Sequence, residues 1–128
     1  MEFNDNKAIY LQIADLLMDD ILSGRLAEEE RTPSVRDCAA LYEVNVNTVV
    51  RSFEWLTRHE MIYQRRGMGF FVSEGARGRI MDYRRGEFFD VELPRLFGMM
   101  GKLGVTIDEV VDLYARQSGK NSSTTNKQ

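Results

Sequence analysis

A chain of 128 residues, 43% apolar and 29% charged, can bury one modest core with a small appendage and has the make-up of an ordinary soluble globular protein. It has no apolar run long enough to span a bilayer and no secretory signal pattern from Met1 onward, so a cytoplasmic protein without a membrane partner is expected. A single cysteine excludes an internal disulfide, and a single histidine leaves no His/Cys cluster for a metal, so no metal and no cofactor is expected. The net charge of −3 is unevenly spread: residues 1–30 hold eight acids and two bases, whereas 31–78 hold seven bases and five acids.

Residues 1–6 are polar and are expected to be loose. From Lys7 a helix is predicted, with Ile9, Ile13, Leu17 and Ile21 at near-helical spacing and Leu16 beside them, ending at Ser23-Gly24 where glycine can turn left-handed. Leu26 to Arg31, with three consecutive Glu, is expected to be a solvated connection. Pro33 and Ser34 then punctuate the chain, and Ser34 with Asp37 three residues on matches a helix-capping pair. Val35, Cys38, Ala39 and Tyr42 share one face and should be buried, which makes Cys38 a small core hydrophobe and not a redox sensor.

After a break at Glu43 and Val44, Asn45 can cap a second helix whose Val49, Phe53 and Leu56 point inward. At about 100° per residue Asn47, Arg51 and Arg58 fall opposite that stripe, with Thr48 to one side. A donor-rich outer face at the start of such a helix suits the major groove, because Asn, Thr and Arg bond base edges or phosphates. Any one of these residues alone is as well explained by a solvated helix face. His59 is expected at the surface of the helix end, where Thr57 to Glu60 closes the element. Ile62–Arg65 and Phe70–Val72 are rich in aromatic and β-branched residues with Arg66-Gly67-Met68-Gly69 between them, which predicts a β-hairpin. Three helices and a hairpin make a winged helix, whose tip glycines let the backbone approach a phosphate or the minor groove beside Arg65 and Arg66. A phosphate-loop site is excluded, since no Lys-Ser/Thr follows the glycines and no helix opens there.

Ile9-Tyr10-Leu11-Gln12-Ile13-Ala14, Gly24-Arg25-Leu26, Pro33-Ser34-Val35-Arg36, Val44-Asn45-Val46-Asn47-Thr48-Val49 and Gly67-Met68-Gly69-Phe70-Phe71-Val72 together resemble the DNA-binding domain of the GntR family of bacterial transcription regulators. The resemblance covers about three fifths of the chain. It implies that Arg36, the helix-start residues Asn45, Val46, Asn47 and Thr48, and the glycine region of the wing contact an operator. With the residues singled out above, the candidate DNA-contacting set is Ser34, Arg36, Asn45, Val46, Asn47, Thr48, Arg51, Arg65, Arg66, Gly67, Met68 and Gly69. Three positions depart from the family pattern. Thr32 stands where an aliphatic residue usually precedes Pro-Ser, Cys38 stands for Leu, and Val46 stands where many members have Arg or Pro, so no base preference carries over.

Ser73 to Gly78 is expected to be a linker, with Gly75 and Gly78 its hinge. Beyond it, Arg79 to Lys102 carries Ile80, Tyr83, Phe88, Val91, Leu96, Met99 and Met100, followed by Leu103, in a mostly helical pattern that Pro94 should kink. Gly104-Val105 turns the chain, Thr106 with Glu109 matches a capping box, and Ile107, Val110, Val111 and Tyr114 give a further helix an apolar face. The expected division is a winged-helix domain over 1–78, a two-helix dimerisation segment over 79–117, and a disordered tail over 118–128. Phe88, Val91, Leu96, Phe97, Met99, Met100, Leu103, Val110 and Tyr114 offer more apolar surface than two helices can bury alone, which predicts a homodimer. A segment this short is similar to the YtrA-type subfamily, whose members form dimers, and it is too small to enclose an effector cavity.

The fold class expected is therefore mainly α with a small β-hairpin, and the function a sequence-specific regulator, most simply a repressor, acting as a homodimer on double-stranded operator DNA without a dedicated small-molecule effector. Carboxylates such as Asp19, Asp20, Asp108 and Asp112 lack a partnered base or pocket, so no enzyme is expected. The competing class is a winged helix used only for protein interaction, on which Arg36, Arg51, Arg65 and Arg66 would be needlessly costly.

Overall fold

The structure, a computed structural model, describes Phe3 and residues 7–121 and divides into two compact units, Met1–Arg84 and Arg85–Gln128. In the first, helices α1 (Ile9–Ser23), α2 (Val35–Tyr42) and α3 (Val46–Arg58) pack around one core. The stripe expected on each helix is the face that is buried. Ile13, Leu17, Met18 and Ile21 of α1, Cys38, Ala39 and Tyr42 of α2, and Val49, Phe53 and Leu56 of α3 lie inside, with Val35 half-buried at their edge. The caps also match: Gly24 ends α1 at φ +90°, the Ser34 hydroxyl accepts the Asp37 amide at 3.0 Å, and the Asn45 side-chain Oδ1 accepts the Asn47 amide at 2.7 Å. Ser52 is fully buried because its hydroxyl is satisfied twice, donating to Tyr10 O at 2.7 Å and lying 3.2 Å from Thr48 O. Serine's small side chain there lets α1 and α3 meet closely.

Strands β1 (Ile62–Arg65) and β2 (Gly69–Val72) form the hairpin in register, Ile62 opposite Val72 and Arg65 opposite Gly69. The segment before α2 is not the solvated connection that its glutamates suggested. Arg31 pairs antiparallel with Phe71, the Thr32 amide donates to Phe70 O at 2.8 Å, and the amides of Glu29 and Val72 exchange bonds with Val72 O and Glu30 O. Residues 29–32 thus act as a third edge strand of the wing, and Thr32 is buried where an aliphatic residue was expected. Pro33 favours extended backbone at the residue before it, which agrees with this pairing.

Helix α4 (Ala76–Glu87) starts where a linker was expected, and this overturns the proposed hinge. Ala76 and Ile80 are fully buried in the first core. The Glu28 carboxylate accepts the amides of Gly75 at 2.9 Å and Arg77 at 3.4 Å, and those two bonds hold its pKa below the usual carboxylate value. Arg77 in turn donates to the α1 carbonyls of Ile21, at 3.0 Å, and Leu22, and Arg84 pairs with Asp19 at 2.8 Å. With the Gly75 amide bonded by Glu28 and Gly78 inside α4, this segment is the anchored start of a helix and not a linker. Nor does the first unit close at Gly78, as the expected domain limit had it, because Ile80 and Tyr83 belong to its packing. His59, expected at the surface, is half-buried: its ring stacks on Trp55 at 3.9 Å, and Tyr83 meets Trp55 edge-on at 5.0 Å.

In the second unit the chain makes a π-helical turn over Phe88–Glu92, then α5 (Leu93–Leu103) and α6 (Ile107–Asn121). Pro94 accounts for the wide turn, because its ring would collide with the carbonyl four residues back and it has no amide to donate. The preceding Leu93 amide instead bonds Phe88 O, five residues back, so the expected kink is absorbed as one extra residue. Gly104 ends α5 at φ +69°, and the Thr106–Glu109 capping box is reciprocal, the Thr106 amide bonding the Glu109 carboxylate at 2.8 Å and the Glu109 amide the Thr106 hydroxyl at 3.2 Å. Helix α6 runs on to Asn121, past the expected start of a tail at 118, since no residue there forbids propagation of a capped helix. Residues 122–128 lie outside the described part.

Candidate nucleic-acid interface

Capping decides how α3 begins. With the Asn45 side chain occupied by the Asn47 amide and Asn45 O accepting the amides of Thr48 and Val49, the start of α3 presents side chains more than free backbone donors. Val46 and Asn47 are exposed there, Thr48 is half-buried, and Arg51 is exposed one turn on with its guanidinium 4.1 Å from the centre of the Tyr10 ring. Arg36 stands exposed in the first turn of α2 and makes no hydrogen bond or ion pair among the described residues. Ser34, by contrast, spends its hydroxyl on the helix cap.

The wing tip is the three-residue turn Arg66-Gly67-Met68, closed by the Met68 amide on Arg65 O at 2.9 Å. Gly67 and Gly69 both need left-handed backbone, at φ +75° and +101°, and a Cβ on Gly69 would sit 3.1 Å from Arg31 Nε. Met68 is exposed at the tip. Arg65 does not project from it. Its guanidinium lies 4.3 Å from the Phe71 ring centre and donates to the Tyr63 hydroxyl at 3.1 Å, which donates in turn to Glu29 at 2.6 Å. Arg66 makes no such bond among the described residues.

A groove of about 650 Å³ joins these parts, lined by Val35 of α2, Val50, Phe53, Glu54, Thr57 and Arg58 of α3, and Gln64 and Phe70 of the hairpin. The start of α2, the outer side of α3 and the wing therefore converge on one concave surface. Three residues that sequence reasoning passed over line this surface, Val50, Glu54 and Gln64, and a fourth, Arg31, lies against Gly69 of the wing. Val50 could have been found, being one turn beyond Val46 on the same side of the helix. Arg31 could not, since only the pairing with Phe71 brings it to the wing.

Cys38 is no part of this surface. Burial first, then the carboxylates of Asp37 and Asp20, push its thiol up to about 11, so it is an unreactive core residue. Among the described residues no group of His, Cys, Asp and Glu is placed to hold a metal, and no helix is long and apolar enough to cross a membrane.

Residues 9–72 match the family described as bacterial regulatory proteins, gntR family. The HTH-type transcriptional regulator YhcF of Bacillus subtilis is 32% identical over 111 residues, 87% of this chain and 90% of that protein. The HTH-type transcriptional repressor YtrA of the same organism is 32% identical over 74 residues, 58% of this chain and 57% of that one. A crystal structure of a GntR-family transcriptional regulator from Bacteroides thetaiotaomicron superposes with a TM-score of 0.75 at 44% identity, covering 90% of this chain and all of the other.

Proposed function

The chain belongs to the gntR family of bacterial regulatory proteins, transcription regulators with a helix-turn-helix DNA-binding domain and not enzymes, and from that premise we propose that it acts as a homodimeric repressor on a two-fold related double-stranded operator. The single observation that carries the operator reading is the convergence of α2, α3 and the wing on one groove lined by Arg58, with Arg36, Asn47 and Arg66 exposed on the same three elements. In this reading Asn47, exposed at the helix start, contacts a base edge. Arg36, Arg51 and Arg66 carry charge for phosphates, and Met68 and the two glycines suit the wing tip to the minor groove. Homodimerisation is supported by the exposed Phe88, Phe97, Met99, Leu103 and Tyr114 of the second unit. The sign of regulation follows the repressor YtrA. Control is assigned to protein level and dimer concentration, with no dedicated effector.

Selection of bound sequences from a random duplex pool, followed by footprinting of the gene's own promoter, tests the reading. Salt-dependent retardation of the selected duplex is expected. Arg36→Ala and Asn47→Ala should each weaken it by about 1 to 3 kcal/mol, while shifting stability by no more than about 0.5 kcal/mol. Retardation that ignores salt, or equal binding by both variants, would sink the assignment of this face.

A further inference from the structure

One flank of the α3 outer face, beside the polar Asn47, Arg51 and Arg58, carries two valines, which is unusual for a surface proposed to meet DNA. Val46 is 42% exposed in the first turn. Val50 follows one turn later, about 6 Å along the axis, and lines the groove floored by Val35, Phe53 and Phe70. Neither belongs to the buried core: Val50 is half-buried in the groove and Val46 is exposed, where a β-branched side chain gains little and loses rotamer freedom. Val46 is therefore not accounted for by folding, and Val50 only in part.

Arg58 lines the same groove about two turns beyond Val50, and the other guanidinium groups are engaged elsewhere or lie on other elements. Arg51 is drawn onto the Tyr10 ring, Arg58 lies in the last turn, and Arg36 is on the neighbouring helix. The polar groups that share the strip are Asn47 and Glu54, and neither can make the bidentate pairing to guanine O6 and N7 that takes Arg or Lys. The edges of bases in the major groove offer a single apolar group, the 5-methyl of thymine, while Asn is matched to adenine N6 and N7. Val46, Asn47 and Val50 thus all fit an A·T pair, from one strand or the other.

Resting on the operator reading above, we propose that Val46 and Val50 are specificity-determining residues that pack on thymine methyl groups, so that the half-site under the first two turns of α3 is built from A·T pairs with thymines facing the two valines. Glu54, at the groove rim, disfavours a phosphate there and keeps the strip over the bases.

Replacing thymine by deoxyuridine removes the methyl and leaves pairing intact, so the test needs no change in the protein. With the full chain and the duplex selected above, each half-site thymine is replaced in turn. Kd should rise roughly three- to five-fold for each methyl packed on valine, at one or two positions per half-site. At the thymine facing the substituted valine, the same replacement should cost less in Val46→Ala or Val50→Ala than in the parent, with thermal midpoints showing both variants folded. Tight binding of the parent with every uracil duplex inside two-fold would overturn the proposal and leave the operator reading standing, as would an unchanged uracil penalty in both variants. A pool that yields no preferred sequence would remove the operator reading and this proposal together.

Discussion

Phe53 of α3 and Phe97 of α5 are both phenylalanines in the middle of a helix, yet one is 1% and the other 51% exposed. The difference belongs to their surroundings. Around Phe53 the first unit supplies a second layer on every side: α1 and α2 at its back, the hairpin with Phe70 edge-on at 5.0 Å, and Ile80 and Tyr83 of α4 closing the same core. Around Phe97 no residue from Phe88 to Leu103 is buried at all. A helix with an apolar stripe must bury it against another element, so the first unit is a finished core and the second is half of one. In the homodimer proposed above, a second copy of the same surface supplies the other half.

The contrast can be broken first at its strongest point. Phe53→Ala should cost about 3 to 5 kcal/mol, enough to unfold a domain of this size in a denaturant titration and to abolish binding with it. Phe97→Asp should leave the first unit folded and separate the dimer. Light scattering would then return the monomer mass, and operator affinity would fall about a hundred-fold as the second contact loses its effective concentration. A variant that stays dimeric would place the seam elsewhere. Smaller again is Gly69→Ala, which forces a side chain into left-handed backbone against Arg31. We expect a loss of about 1 to 2 kcal/mol in thermal stability, and wing-dependent binding weakened more than the dimer.

The smallest effect concerns the clamp on α4. Glu28 has its pKa lowered in the folded state by the Gly75 and Arg77 amides, so the stability it adds is present above the unfolded value near 4.5 and is lost as pH falls through the lowered folded value. The thermal midpoint of Glu28→Gln should therefore lie below the parent at neutral pH and approach it in acid. A gap that stayed constant below pH 4 would show that the carboxylate bonds do not contribute as charge.

Local rules made much of the first unit legible. The stripes of α1, α2 and α3 and the caps at Gly24, Ser34 and Asn45 depend on residues within one or two turns of each other, and each came out as its spacing predicts. The capping box at Thr106 and Glu109 did so for the same reason. Reading failed where partners are far apart in the chain. Glu28 meets Gly75, Arg31 meets Phe71, Arg77 meets Ile21, and none of these pairs leaves a periodic trace. The glycines at 75 and 78 looked like a hinge because glycine permits motion, but only the neighbours decide whether motion is allowed. Arg51 and Arg65 were placed on the correct elements, though not in their settings, because aromatic rings at Tyr10 and Phe71 draw the guanidinium groups sideways.

By itself the sequence determined the three helices and the hairpin of the first unit, their caps and buried faces and, through motifs held at separated positions, the family. These follow from backbone hydrogen bonding and side-chain periodicity, which act over a few residues. Tertiary structure decided the third strand of the wing, the clamp that makes α4 part of the first unit, the π-turn's exposed phenylalanines, and the groove in which Val50 joins α2, α3 and the hairpin. Those depend on which surfaces meet once burial of apolar area has chosen a packing, and that choice is made by the whole chain.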